Sequence, residues 1–287
     1  MNIEIARKGL ESTNADVVVA SLKVLSVDGK LTDLQAILAL LKHPSQLVKT
    51  TAINVACDLI RNNLIEHFNE LDATVRTKLG ALMESLDPLI IDEIAHELYS
   101  EDDKKRVRAI QLLGLLRKNP KIRDIMTKLV QDKNERIRAT AINLLGKIMS
   151  ADDHELILSL LNDKDKRVRA NTIEALESAG NKRIVPVLMR FHRDPVNRIR
   201  GNVLKALYNL GHTAIDDDLN DMLTHQDVLM QASALWVIAQ IKLQKKEFED
   251  SAGHLMLSKS EMVVINAVKA LQAINTARAL GYIKYLS

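Results

Sequence analysis

Residues 163–180 read DKDKRVRANTIEALESAG, and two close copies flank them: DKNERIRATAINLLGKIM from Asp132 and DPVNRIRGNVLKALYNLG from Asp194. Each copy opens on Asp, sets an aliphatic residue between two arginines, and continues with apolar residues three and four apart. That spacing belongs to one face of an α-helix. Aligning the chain on the aliphatic residue gives Val17, Val48, Thr74, Val107, Ile137, Val168, Ile199, Met230 and Val263, a nearly constant step broken only by the shorter one into Thr74. A period this regular marks a repeat architecture in which each copy is one supersecondary unit. The copy around Thr74 is the weak one.

Two further columns support the alignment. Five residues before the anchor stand Ser12, His43, Asn69, Asp102, Asp132, Asp163, Asp194, His225 and Ser258. Most of these are types whose side-chain oxygen caps a helix N-terminus, and the spacing predicts that Pro44 and Pro195 open their helices. Five and eight residues after the anchor lie Ile142 and Leu145, Ile173 and Leu176, Leu204 and Leu207, and Leu235 and Ile238, with Leu112 and Leu115 in the Val107 copy. These share a face with the anchor and are predicted core. An earlier apolar stretch precedes each copy, such as IRDIMTKLV before Asp132 and HELILSLL before Asp163. Two antiparallel helices joined by a short turn cannot bury both faces alone, so neighbouring pairs must stack.

Composition agrees. Of the 287 residues 47% are hydrophobic, only 3% are aromatic, and glycine and proline number 10 and 5. No stretch alternates as a strand would, and the Asp28–Gly29 dipeptide lies between two helical patterns. The fold expected is all-α: a right-handed solenoid of about eight to nine stacked hairpins forming one domain over 1–287. It would have degenerate copies in 1–100, regular basic copies in 101–211, and C-terminal copies with a cap in 212–287. No run approaches the ~20 apolar residues that span a bilayer, so no membrane role and a cytoplasmic location are expected. The single cysteine, Cys57, sits in an apolar helical pattern and reads as a buried, inert thiol.

The motif D-x-x-x-x-[VI]-R-A-x-x-[IL]-x-x-L, as carried by residues 132–145 and 163–176, resembles the short HEAT-like repeats first named after phycobilisome lyases. The resemblance runs along nearly the whole chain and weakens at both ends. It implies the solenoid fold. It also implies that Arg108, Arg138, Arg169 and Arg200 are structural, with Asp102, Asp132, Asp163 and Asp194 as partners. Relatives of this kind include scaffolds, bilin lyase subunits, a di-iron hydroxylase and, more distantly, DNA glycosylases.

The arginines ahead of the anchor, Arg106, Arg136, Arg167 and Arg198, stand near a helix N-terminus, where the macrodipole disfavours a cation by roughly 0.3–1 kcal/mol. Asp103, Glu135 and Asp165 are placed to offset three of them. Arg198 has no such acid in its own turn and is the candidate for unneutralised charge. Positions one before and three, six and ten after the anchor face away from the core. They would line a concave surface with Arg136, Thr140, Asn143 and Lys147, then Arg167, Asn171 and Glu174, then Arg198, Asn202 and Lys205, then Ser233 and Trp236. Leu47, Ile110, Leu113 and Leu229 fall in the same register and either extend it or, towards the ends of the array, are buried. Residues 1–100 carry −5, 101–210 carry +10 and 211–287 carry −2, so the basic middle points to an acidic partner.

Catalytic patterns are missing. The di-iron relatives carry His-Glu dyads at the start of the second helix, where this chain reads RAIQ, RATA, RANT and RGNV. The dyads at His96 and His154 lie in first-helix segments. Glu174 and Trp236, two repeats apart, make no base-flipping pair, and no metal-ligand cluster, phosphate loop or nucleophile elbow is present. The sequence therefore predicts a non-enzymatic scaffold, without cofactor or metal, that binds an acidic protein segment or helix through Arg136, Arg167, Arg198, Asn171, Asn202, Lys205 and Trp236. The alternatives are a nucleic-acid-binding solenoid, against which the scarce aromatics count, and a bilin lyase or chaperone-like subunit.

Overall fold

The structure is a computed structural model describing residues 2–68, 70–116, 120–148 and 154–286. Among the described residues every element is helical. The order is α1 (Ile3–Gly9), α2 (Ala15–Asp28), α3 (Leu34–Ala39), α4 (Gln46–Glu66), α5 (Ala73–Leu86), α6 (Ile90–His96), α7 (Asp103–Leu113), α8 (Pro120–Leu129) and α9 (Glu135–Leu145). It continues with α10 (His154–Ser159), α11 (Lys166–Ser178), α12 (Val185–Leu188), α13 (Asn197–Asn209), α14 (Asp216–Leu223), α15 (Val228–Gln240), α16 (Glu249–Leu255), α17 (Glu261–Ile274) and α18 (Ala277–Leu286). The chain is an all-α solenoid whose helices group into two compact units, 1–144 and 145–287.

In the second unit the longer helices α11, α13, α15 and α17 pack one on the next, and α14 and α16 pack against α15 and α17 respectively. The predicted core columns meet here: Ile173, Leu176, Leu204, Leu207, Leu235 and Ile238 are fully buried, as are the anchors Val168, Ile199 and Val263. Removing one such Leu or Ile side chain from water contributes about 1.5–3 kcal/mol, so the repeated columns supply the main driving force for stacking. Gly180 and Gly211 hold equivalent places in successive repeats, following α11 and α13 at φ 67° and 99°. In that left-handed region a glycine is least strained. Lys242 takes the equivalent place after α15 at φ 51°.

In the first unit α2 packs against α1 and α4, and α7 against α4 and α6. Ile137, Ile142 and Val48 are buried as predicted, and so is Leu145 at the start of the second unit. Other positions correct the sequence alignment. Val17 is exposed while Val18 is buried, because α1 and α4 cover the face of α2 that carries Val18, Leu22 and Leu25. Thr74 and Val75 are both exposed, leaving Gly80 and Met83 as the buried residues of α5. In the fourth copy Val107 is only partly buried, Leu115 likewise, and Arg106, Ala109, Ile110, Leu112 and Leu113 are buried. That copy sits two residues out of the expected register. Ile110 and Leu113 are therefore core and offer nothing to a partner surface.

The capping column is also displaced. Most of the helices start two or three residues later than predicted, with Asn14, Asp72, Asp165 and Asp227 accepting the backbone N–H two residues on. The residues expected to cap instead shape the turn before the cap. Asp132, Asp163 and Asp194 accept from the backbone N–H of Asn134, Asp165 and Val196 at 2.8–2.9 Å, as Ser12, His43, His225 and Ser258 do from their own turns at 3.0–3.2 Å. Short polar side chains close such turns by bonding two residues ahead. Pro44 and Pro195 stand inside these turns rather than at the first helical residue. Asn69 lies outside the described residues, and the fourth copy uses Ser100 for the turn and Asp102 for the cap.

Candidate protein-binding surface

In three of the four copies the arginine after the anchor is structural, and its bonds reach turn carbonyls as well as carboxylates. Arg138 donates through Nη1 to the carbonyls of Asp132 and Lys133 at 2.8 and 3.1 Å, and Arg169 does the same to Asp163 and Lys164 at 2.9 and 3.3 Å. These bonds tie helix to turn within one repeat. Arg200 instead reaches forward to Asp221 at 2.8 Å and to Asp218 at 3.6 Å, not back to Asp194. In the fourth copy the shift of register hands the role to Arg106, which donates to the Leu98 carbonyl at 2.8 Å and pairs with Asp132 and Asp103. Arg108 is left exposed. Burial pushes the Asp132 carboxyl upward, but the Arg106 guanidinium and the Asn134 N–H outweigh it and hold it below the usual range.

Of the predicted partner-binding residues, Arg136 belongs to the first unit. It is exposed at the start of α9, its backbone N–H bound to Asn134 Oδ1 at 2.8 Å. The others lie in the second unit on α11, α13 and α15. Asp165 is cap and counter-ion to Arg167 at once: Nη2 and Nε lie 3.0 and 3.2 Å from its carboxylate, which is depressed by these bonds and by backbone N–H groups. Arg198 is not unneutralised. Its Nη2 donates to Asn171 Oδ1 at 3.1 Å and lies 3.4 Å from Glu174 Oε1, both from the preceding repeat, while its side chain stays 54% exposed. The counter-charge was out of reach of a reading confined to its own turn.

Asn202 is 2% exposed and its amide is already engaged, donating to the Ala170 carbonyl at 3.2 Å and to Glu174 Oε1 at 2.8 Å. Asn266 makes the same kind of bond further along the stack, to the Ala232 carbonyl at 3.0 Å. The asparagine column is thus an inter-repeat fastener, and both N–H donors of Asn202 are spent within the stack. Asn171 keeps a partly exposed side chain beside Arg198. Lys205 pairs with Glu177 at 3.0 Å and holds its ammonium 5.6 Å from the centre of the Trp236 ring. Trp236 is partly buried, with one face toward this lysine.

Arg198, Trp236 and Glu174 border a furrow of about 390 Å³ whose other walls include Asn197, Ser233 and Met262. Met262, 55% exposed, and Asn266 were missed in the sequence because the last copy lacks both arginines. The signal was there, since they occupy the same places relative to Val263 as Arg198 and Asn202 do relative to Ile199. Gly201, at the position that Ala170 and Ala232 take in the flanking repeats, lies at the floor; an added Cβ would meet Ser233 Cβ at an ordinary 3.5 Å. Among the described residues no group of three or more His, Cys, Asp or Glu is placed to hold a metal, and no helix is long and apolar enough to cross a membrane.

The family model described as HEAT repeats matches residues 91–156 and 154–228. The chain carries HEAT repeats over residues 91–228. No curated protein sequence matches it significantly. Among solved structures this HEAT-repeat chain is similar to the complex of CpcE and CpcF of phycocyanin lyase from Nostoc sp. PCC7120, with 17% identity, coverage of 79% of this chain and 92% of that chain, and a TM-score of 0.50. It is also similar to the karyopherin Kap121p bound to Pho4p and bound to the extreme C-terminus of the protein phosphatase Cdc14p. These share 16% and 15% identity with it and cover 99% of this chain, with TM-scores of 0.53. The chain spans only 38–39% of the Kap121p chain. At such identities what is shared is the fold.

Proposed function

We propose that this HEAT-repeat protein is a non-enzymatic interaction scaffold that binds an acidic protein segment in the furrow across α11, α13, α15 and α17. The observation that carries the reading is the meeting of an exposed guanidinium, Arg198, with the Trp236 and Met262 side chains around one furrow. Arginine and tryptophan are among the residues most enriched at binding hot spots. The Arg198–Glu174 contact joins two half-exposed groups. Such pairs are worth about 0–1 kcal/mol, so an incoming carboxylate can displace Glu174 at small cost. Arg167, Asn171 and Lys205 would support this site, and Arg136 would offer a further exposed cation on the first unit. The bound segments in the Kap121p structures and the two-subunit lyase assembly are properties of those proteins; they support this reading through the fold alone.

Trp236 is the only tryptophan, so its emission reports directly on the furrow. Titration with short Glu- and Leu-containing peptides should shift that emission, Arg198→Glu should abolish the response, and Glu174→Gln should tighten binding. Equal response from wild type and Arg198→Glu would overturn the reading. A single-stranded oligonucleotide binding more tightly than any peptide, with affinity falling steeply in salt, would favour nucleic acid instead.

A further inference from the structure

We propose that the furrow reads its occupant in a fixed order, as an extended segment with two apolar residues toward α17 and α15 and two carboxylates toward α13 and α11, spaced about three residues apart. This rests on the reading of the furrow as a site for an acidic protein segment.

The position just before the buried anchor is Arg167 on α11, Arg198 on α13, Leu229 on α15 and Met262 on α17. The Arg167 and Arg198 side chains are 42% and 54% exposed, and Leu229 and Met262 are 45% and 55% exposed. One column on four successively packed helices therefore changes from guanidinium to hydrocarbon halfway along. Trp236 and the exposed Ile265 lie in the apolar half. Scattered surface hydrophobes are ordinary, but a row on adjacent repeats beside an indole is a docking surface. The acids of the cationic half, Asp165 and Glu174, already sit against Arg167 and Arg198; one partner carboxylate would displace Glu174, whose contact is the longer, and the other would meet the exposed edge of Arg167 beside Asp165.

Spacing follows from geometry. Packed helices stand about 8–10 Å apart and an extended chain advances about 3.3 Å per residue, so one repeat corresponds to about three residues. An extended segment matches that step, with successive contacts about three residues apart, one to each helix.

The test uses the full chain and Trp236 emission with ten-residue peptides of one composition. The first carries Leu at positions 1 and 4 and Glu at 7 and 10 among serines; the second groups Leu-Leu and Glu-Glu at its ends; the third reverses the first. One of the two spaced peptides should bind at least about tenfold tighter than the grouped one. Leu229→Glu and Met262→Glu should each weaken it about tenfold while the thermal midpoint stays within a few degrees of wild type. A bromotyrosine added at the Leu end should quench Trp236 more than one at the Glu end. Equal affinity of spaced and grouped peptides overturns the ordered readout while leaving the acidic-segment site standing. Stronger quenching from the Glu end overturns the orientation. No binding of any peptide overturns both the readout and the site.

Discussion

The ammonium of Lys205 lies 5.6 Å from the centre of the Trp236 ring and 3.0 Å from Glu177 Oε2. The lysine thus joins three consecutive second helices, with α11 supplying the carboxylate and α15 the indole. The Glu177 side chain is only 12% exposed and the lysine 21%. Removing one partner therefore leaves a poorly solvated charge. Lys205→Ala is expected to cost about 1–3 kcal/mol and to shift Trp236 emission, and the double variant with Glu177→Gln should recover part of the loss. Urea unfolding followed by circular dichroism measures the first, and the emission maximum the second.

Asn202→Ala should cost about 1–3 kcal/mol, because the amide serves the Ala170 carbonyl and Glu174 together and is buried. Asn202→Asp should cost more, since it sets a carboxylate against two acceptors and cannot donate to either. Equal stability of wild type and Asn202→Asp in urea would show that the inter-repeat fastening does not exist.

Lys242→Gly should stabilise the chain. Lys242 stands at φ 51° where the preceding repeats carry Gly180 and Gly211, and a side chain in that region costs about 1 kcal/mol. Differential scanning calorimetry should show a rise in Tm of a few degrees.

Acid should weaken the fold through named carboxylates. Hydrogen bonds from Arg7 hold Asp33 below the usual aspartate range, those from Arg167 do the same for Asp165, and Arg106 with the Asn134 N–H overcomes the burial of Asp132. With folded values below unfolded ones, the unfolded chain binds more protons. The stabilisation is present above the ordinary aspartate value of about 3.9 and is lost as pH falls from there through the folded values. Asp132→Asn should lower stability at neutral pH and flatten the acid limb of a pH series of urea midpoints.

Burial pushes the Cys57 thiol up to about 11, so the nucleophilic thiolate is scarce at neutral pH. Reaction with a disulfide reagent in mildly alkaline buffer should be slow in the native chain and fast in urea. Rapid native labelling would contradict the buried placement.

The fold was legible because its signal is periodic and local. Apolar residues three and four apart recur once in every copy of the motif, and helix geometry then requires that Ile142, Ile173, Leu204 and Leu235 share one buried face. Local chemistry also marked Arg138 and Arg169, whose bonds to the turn carbonyls stay within one repeat. Tertiary structure decided everything that depends on a neighbouring repeat. Glu174 reaches Arg198 and Asn202 from one repeat away, so a charge that stands alone in sequence is paired in space, and an asparagine drawn on the surface is inside. The fourth copy shows the same limit. Its run Glu101-Asp102-Asp103-Lys104-Lys105-Arg106-Val107-Arg108 fits two registers equally well as a string. The choice falls to Arg106 because its guanidinium meets the Leu98 carbonyl and Asp132 at once, and Ile110 and Leu113 then fill the core.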